Sequence, residues 1–271
     1  MSTYVLKDKY ALVTGASSGI GKELSLRLAE EGCHCALGGL PGEREILEDW
    51  GKELHDRHGV KTWPIPVDLA EKDGPQRVHE DVTEQIPRLD VLVNNAGVLT
   101  YGPFHEVDLD KSERMLMVNA RAYLALMRLF LPGMLERGDG RILNVSSVSA
   151  FQPTAHHAAY AATKAFVQSL SEAVREEIRG TGVVVCTLAP GYTDTPLIRG
   201  SGFPKRLWWY SISGLGDPSE IARQGVKALK GGKAVCIPGW RNWALHSFFP
   251  RFTPRRLGPM ISRYALRGRS D

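Results

Sequence analysis

The sequence predicts an α/β fold, a doubly wound parallel sheet of seven strands with helices on both faces. Three observations lead there. Short apolar runs alternate with longer segments of helical spacing along most of the chain. The short runs are apolar throughout rather than at every second residue, as strands covered on both faces must be. The first run ends in a glycine-rich turn that opens the first helix.

Tyr10 to Thr14 (YALVT) is the first strand, and Gly21 to Glu31 follows with helical spacing of Leu24, Leu28 and Ala29. Cys33 to Leu37 reads as the second strand, Glu43 to His58 as a polar helix and Lys61 to Pro66 as the third strand. A helix near Gln76 to Gln85 leads to the fourth strand, Asp90 to Val93. A long helix from about Lys111 to Arg137 is expected to bend at Pro132 or to lose its regularity there. Gly140 to Val145 is the fifth strand, and a helix reaching Arg179 precedes the sixth, Val183 to Leu188. A glycine-rich insertion, a short helix from Pro218 and a seventh strand, Ala234 to Ile237, complete the pattern. No repeat and no linker interrupts it, so residues 1–239 are expected to form one domain, with residues 240–271 as an extension.

The composition sets bounds. An apolar fraction of 43% is ample for a core, and a formal net charge of +4 by itself gives no reason to expect nucleic acid. The charge is uneven: from Trp240 onward there are seven arginines, no lysine and one acid, Asp271, so that segment carries +6 against −2 for the rest. Cys33, Cys35, Cys186 and Cys236 all fall in apolar runs and make no CxxC pair, so they read as small buried hydrophobes of a reducing compartment. No secretory h-region and no uninterrupted apolar run of about 18 residues is found, and a cytoplasmic protein is expected. No His, Cys, Asp or Glu set has metal-ligand spacing, so no metal is expected.

Two stretches carry chemistry. Thr14-Gly-Ala-Ser-Ser-Gly-Ile-Gly21 joins a strand to a helix, and its glycines at 15, 19 and 21 let backbone approach a pyrophosphate whose charge the helix N-terminus favours. Ala159-Tyr-Ala-Ala-Thr-Lys164 puts a phenol and an ammonium four residues apart on one helical face. An ammonium beside a phenol lowers its pKa and makes it a better proton carrier near neutrality. Taken alone, that pair reads sooner as an exposed Tyr and Lys on a surface helix.

The G-x-x-x-G-x-G spacing resembles that of the short-chain dehydrogenase/reductases in their short single-domain form, from about Lys7 to Gly239. Further motifs support the resemblance: Asn94-Asn-Ala-Gly97 after the fourth strand, Asn119 in the long helix, Ser147 thirteen residues before Tyr160, and Pro190-Gly191 followed by Thr193 and Thr195. The resemblance implies a Rossmann-type fold and hydride transfer between a nicotinamide dinucleotide and a ketone or secondary alcohol. It implies Tyr160 as general acid/base, Lys164 tuning it and binding the nicotinamide ribose, Ser147 holding the substrate oxygen, and Asn119 organising a proton-relaying water. For the cofactor it implies Gly15, Ser17, Ser18, Gly19, Ile20 and Gly21 at the pyrophosphate and Asp68 and Leu69 at the adenine. Asn95, Ala96 and Gly97 then line the ribose, with Pro190, Gly191, Thr193 and Thr195 at the nicotinamide. It also implies a homodimer or homotetramer.

The form of the cofactor is less sharply marked. An NAD enzyme of the family carries an Asp at the end of the second strand and an NADP enzyme often an Arg one residue later, but here those positions are Gly39 and Leu40. With no carboxylate there to repel a 2′-phosphate, and Arg44 within reach, NADP(H) is favoured over NAD(H). Residues 193–217 are expected to form a lid over the substrate, and Trp208, Trp209 and Tyr210 within it point to a bulky apolar substrate or to packing on a second subunit. His156 and His157 flank the site on its loop. In the extension, Trp243, Leu245, Phe248, Phe249 and Phe252, followed by Arg251, Arg255, Arg256, Arg263 and Arg267, are expected to pack over the active site or on a partner subunit with the arginines facing water, ahead of peripheral contact with an acidic membrane. A 3-ketoacyl-thioester reductase, with the arginines meeting a phosphopantetheine arm, is the alternative of the same class. A non-catalytic nucleotide-sensing protein is the alternative of another, and the presence of Asn119, Ser147, Tyr160 and Lys164 together stands against it.

Overall fold

The computed structural model describes residues 3–200, 202–204, 214–248, 252, 254 and 256–266. Seven parallel strands form one sheet in the order β3-β2-β1-β4-β5-β6-β7. They are β1 (Tyr10–Val13), β2 (His34–Gly39), β3 (Thr62–Pro66), β4 (Val91–Asn94), β5 (Gly140–Val145), β6 (Val183–Leu188) and β7 (Val235–Cys236). Strand order reverses between β1 and β4, whose register pairs Leu12 with Leu92 and Val13 with Val93. Loops leaving the carboxyl ends of these two strands part in opposite directions and open a crevice, the place where such sheets bind ligands.

Helices cover both faces: α1 (Gly19–Glu30), α2 (Arg44–His58), α3 (Gly74–Gln85), α4 (Leu109–Leu116), α5 (Ala122–Arg137), α6 (Ala158–Glu177), the short α7 (Pro196–Gly200) and α8 (Pro218–Lys230). One core gathers Leu24, Leu28, Leu47, Trp50 and Val226 against one face of the sheet. The other gathers Val78, Val82, Leu126, Met127, Phe130 and Met134. The five central strands feed both, Val13 to the first and Leu12 to the second, which is why they read as unbroken apolar runs, while the edge strands β3 and β7 feed one each. Cys33, Cys35 and Cys186 are buried among these residues as free thiols.

Pro132 does not end the long helix, which continues to Arg137 and stops where Gly138 turns left-handed. The irregularity lies earlier, in a π-helical turn over Met117–Arg121 between α4 and α5. By length and composition the rod Leu109–Arg137 could cross a membrane, but its apolar face, Tyr123, Leu126, Phe130 and Met134, is spent on the core.

The extension forms structure that its sequence did not announce. Trp240–Trp243 (α9) runs into a π turn at Ala244–Phe248, and Leu257–Ala265 (α10) follows. Both pieces dock on the stretch after β5: Ala244–Phe248 packs on the 3-10 turn Val148–Phe151, and the Ser262 hydroxyl accepts from Ala155 N at 3.0 Å. Trp208, Trp209, Tyr210, Phe249, Arg251, Arg255 and Arg267 lie outside the described residues.

Gly21 is the tightest contact in the crevice wall. A β-carbon there would lie 2.1 Å from the Gly15 carbonyl oxygen and 2.4 Å from Asn95 Nδ2. Gly21→Ala should therefore cost about 2–3 kcal/mol of stability, read as a shift in the urea midpoint at unchanged slope; unaltered stability would show that α1 can slide on β1.

Candidate active site

The turn after β1 builds the floor. Gly15 has a φ of +66°, which glycine tolerates and other residues rarely adopt. Thr14 fixes this turn to the loop after β4: its hydroxyl accepts from Asn95 N at 2.9 Å and Ala96 N at 3.0 Å. The Asn95 amide returns a bond to the Thr14 carbonyl at 2.8 Å. No side chain caps α1, since Ser18 makes no capping bond, so the first-turn N–H groups remain for an anion in the crevice.

A cleft of about 270 Å³ runs along the carboxyl ends of the strands. Its lining includes Gly15, Ser17, Ser18, Gly19 and Ile20, then Asp68 and Leu69, then Asn95, Ala96 and Gly97. At the far end it meets Ser147, Tyr160, Lys164, Pro190, Gly191, Thr193 and Thr195. The expected cofactor and catalytic positions thus converge on one crevice, with two exceptions. Gly21 is buried behind the Gly15 turn and serves packing rather than lining. Asn119 is fully buried on the π turn, where its amide spans the backbone of Val98, accepting from Val98 N at 2.9 Å and donating to Val98 O at 2.8 Å.

The catalytic end is built on α6 and β5. Tyr160 and Lys164 do share one face of α6, with the Lys164 ammonium 5.8 Å from the Tyr160 ring centre. Lys164 is only 3% exposed, and its Nζ donates to Val145 O at 2.9 Å and to the Tyr123 hydroxyl at 3.4 Å. Burial pulls the amine down to about 7. Burial pushes the Tyr160 phenol up to about 12, opposed by its hydrogen bond with Ser147. The expected lowering of the tyrosine pKa by Lys164 is therefore absent in the protein by itself: both groups are desolvated, and desolvation favours phenol and amine over phenolate and ammonium. A β-carbon on Gly97 would sit 3.4 Å from Asn119 Oδ1 and 3.7 Å from Lys164 Nζ, so that glycine keeps the gap between them open.

The sequence reading missed Tyr123 and Glu43. Tyr123 lies four residues after Asn119, a helical spacing that could have marked it. Glu43 lines the cleft beside Gly39, its carboxylate accepting from Leu40 N at 2.8 Å. Arg44, the expected phosphate contact, is absent from the lining and pairs with Glu48 at 3.6 Å. Asp68 is held by Arg114 at 2.8 Å, and both line the cleft.

Beyond Tyr160 a smaller apolar cavity opens, lined by Leu99, His157, Tyr192, Ile198 and Phe203. Tyr101 packs against Phe203 with ring centres 4.8 Å apart and planes tilted by 59°, and donates its hydroxyl to the Leu266 carbonyl. Burial lowers the His157 pKa to about 4, so this imidazole is neutral, with its Nε2 3.3 Å from the Ser149 hydroxyl. The base of the expected lid is clasped, Gly216 N donating to Tyr192 O at 2.7 Å and Asp194 N to Gly216 O at 3.1 Å. Among the described residues no group of three or more His, Cys, Asp or Glu is placed to hold a metal.

Lys164 gives a pH-dependent prediction. Its native pKa, about 7, lies below the ordinary 10.5, so the unfolded chain binds a proton that the native one lacks between those values. The cost to stability grows as pH falls from 10.5 to 7 and is constant below. Lys164→Met should raise stability at neutral pH, with the gain fading towards pH 10.5. Urea unfolding over that range reads it, and a gain independent of pH would contradict a desolvated amine.

Comparison with known proteins agrees with this geometry. The sequence model of the short chain dehydrogenase family matches residues 9–202. The chain is 34% identical over 227 residues to 1-deoxy-11-beta-hydroxypentalenate dehydrogenase of Streptomyces exfoliatus, covering 83% of this chain and 78% of that protein. A short-chain dehydrogenase from Sphingobium yanoikuyae in complex with NADPH superposes with a TM-score of 0.80 at 26% identity, over 97% of this chain and 99% of that one. The bulky-bulky ketone specific alcohol dehydrogenase from Comamonas testosteroni does so with a TM-score of 0.74 at 25% identity, over 90% and 92%. With its glycine turn, crevice and Ser-Tyr-Lys end in place, this chain belongs to the short-chain dehydrogenase/reductase family.

Proposed function

We propose that this oxidoreductase interconverts a bulky, apolar ketone and its secondary alcohol with NADP(H). The carrying observation is the meeting of Ser147, Tyr160 and Lys164 at one end of a cleft whose other end is the uncapped α1 N-terminus. The glycine turn, the free first-turn N–H groups and the length of the cleft suit a dinucleotide, which would be held by residues 15–20, 68–69, 95–97 and 190–195. When bound, the nicotinamide supplies the hydride in reduction and takes it up in oxidation.

The chain's own residues handle position and the proton. A substrate oxygen seated between the Ser147 and Tyr160 hydroxyls receives two hydrogen bonds. With its pKa near 12 the phenol holds its proton across the neutral range, ready to give it to the alkoxide that forms as a ketone is reduced. Lys164, charged when a dinucleotide ribose accepts from it, stabilises the phenolate left behind. Asn119 acts through Val98, whose backbone it fixes beside Gly97. The resting protonation suits reduction.

The apolar lining of the small cavity beyond Tyr160 supports an apolar substrate, and the pentalenate and bulky-ketone activities of the relatives support a bulky one. The NADPH complex of the Sphingobium protein and the absence of a carboxylate on β2 itself support NADP(H), whereas Glu43 at the same end of the cleft weighs towards NAD(H). Exposed Leu116, Leu124 and Phe166 on α4, α5 and α6 support a second subunit on those helices.

Two experiments test the reading. Tyr160→Phe should lower turnover of a bulky aromatic ketone by about 10²–10⁴ while leaving dinucleotide affinity unchanged; retained turnover would refute Tyr160 as the acid. Fluorescence titration should show tighter binding of NADPH than of NADH, with Glu43→Gln strengthening NADPH several-fold by removing a like charge. Preference for NADH that Glu43→Gln abolishes would reverse the cofactor assignment.

A further inference from the structure

Helix α10 is inverted as a surface helix. Its inner face, Gly258, Ser262 and Ala265, seats on the protein: Gly258 against Gln152, Ser262 on Ala155 N, and Ala265 in the cluster of Phe203 and Leu266. Its outer face should then be polar. Instead it presents Met260 and Ile261, 56% and 50% exposed, with Arg256 and Arg263 exposed beside them. The other half of the extension repeats the pattern. Trp240 is 75% exposed with Arg241 over its ring, and Trp243, Phe248 and exposed Phe252 form a continuous aromatic string through ring contacts of 5.5 and 5.4 Å.

We propose that Trp240–Phe248, Phe252 and the outer face of α10 form a docking surface for a lipid bilayer with acidic headgroups. Aromatic and aliphatic side chains facing outward beside arginines are the composition of a segment lying in the membrane interface. The charge selects this occupant over a second copy of the chain. Arg241, Arg256 and Arg263 are exposed here, and the sequence from Trp240 to Leu266 has no acid to offset them. A two-fold contact through this face would set that cation cluster against itself, whereas an acidic leaflet neutralises it. The surface also adjoins the site: α10 packs inward on Phe203 and Tyr101 at the apolar cavity, so docking would bring the substrate entrance to the bilayer, where apolar ketones concentrate. The expected packing of the extension on the protein and its contact with lipid are thus two faces of one element.

The test is co-sedimentation of the full chain with vesicles of phosphatidylcholine alone or mixed equally with phosphatidylglycerol. It reads no turnover and so stands apart from the proposed reaction. The acidic vesicles should bind at least tenfold more tightly, and added salt should release the protein. Met260→Ser with Ile261→Ser should lose about tenfold or more in binding, and so should Arg256→Gln with Arg263→Gln, at about fivefold per arginine. An unchanged far-ultraviolet circular dichroism spectrum and urea midpoint would show that these variants fold. Equal binding to both vesicles, no binding to either, or full binding by both variants would overturn the proposal. So would self-association in sedimentation equilibrium that the same substitutions abolish without any vesicle binding.

Discussion

One buried amine organises the catalytic end. Taking the Lys164 ammonium out of water is expensive unless polar partners surround it, and every neighbouring element supplies something. β5 offers the Val145 carbonyl, α5 offers the Tyr123 hydroxyl, and Gly97 leaves room beside Nζ. Tyr123 is in turn held near Ala96 O at 3.1 Å and Val145 O at 3.3 Å, so the loop after β4, the end of β5 and the long helix meet at one point. The π turn before α5 belongs to the same arrangement. Its extra residue per turn lets Asn119 face Val98 while Tyr123, one turn on, faces Lys164.

That constraint also explains why the resting protein differs from a simple reading of the tyrosine–lysine pair. Spacing on a helix says that two groups are neighbours, and a neighbouring cation lowers a phenol's pKa. It says nothing about how much water reaches them. Here burial dominates, moving Tyr160 and Lys164 in opposite directions, each towards its neutral form. A dinucleotide ribose accepting from Lys164 would favour the ammonium, and an oxidised, positive nicotinamide would favour the phenolate.

What was legible in the sequence was local or periodic. All seven strands and the helices between them were marked by continuous apolar runs and helical spacing, and the phosphate turn by three glycines in a row of eight residues. The four catalytic candidates also stood in sequence, three of them within eighteen residues. What was not legible depends on distant parts meeting. Glu43 comes beside Gly39 only because a 3-10 turn at Pro41–Glu43 folds it back on Leu40. Arg44, one residue on, is carried round the start of α2 to Glu48. A proline in a long helix marks a weak point, but α5 keeps its course at Pro132 because its flanking residues, Phe130 and Met134, are anchored in the core.

The extension joins the two halves of the molecule's chemistry. Its inner contacts fall on the stretch between Ser147 and Tyr160, through Gln152 and Ala155, so it braces the loop that separates these two hydroxyls. Its last buried residues, Ala265 and Leu266, close the apolar cavity from outside. A segment in that position senses whatever lies on its outer face, because any force that tilts α10 is felt at Tyr101 and Phe203. An apolar outer face is costly in water and is retained only where it is covered; covering it with lipid would place the cavity mouth, the neutral His157 and the Tyr160 proton on the path of a substrate that partitions into the bilayer.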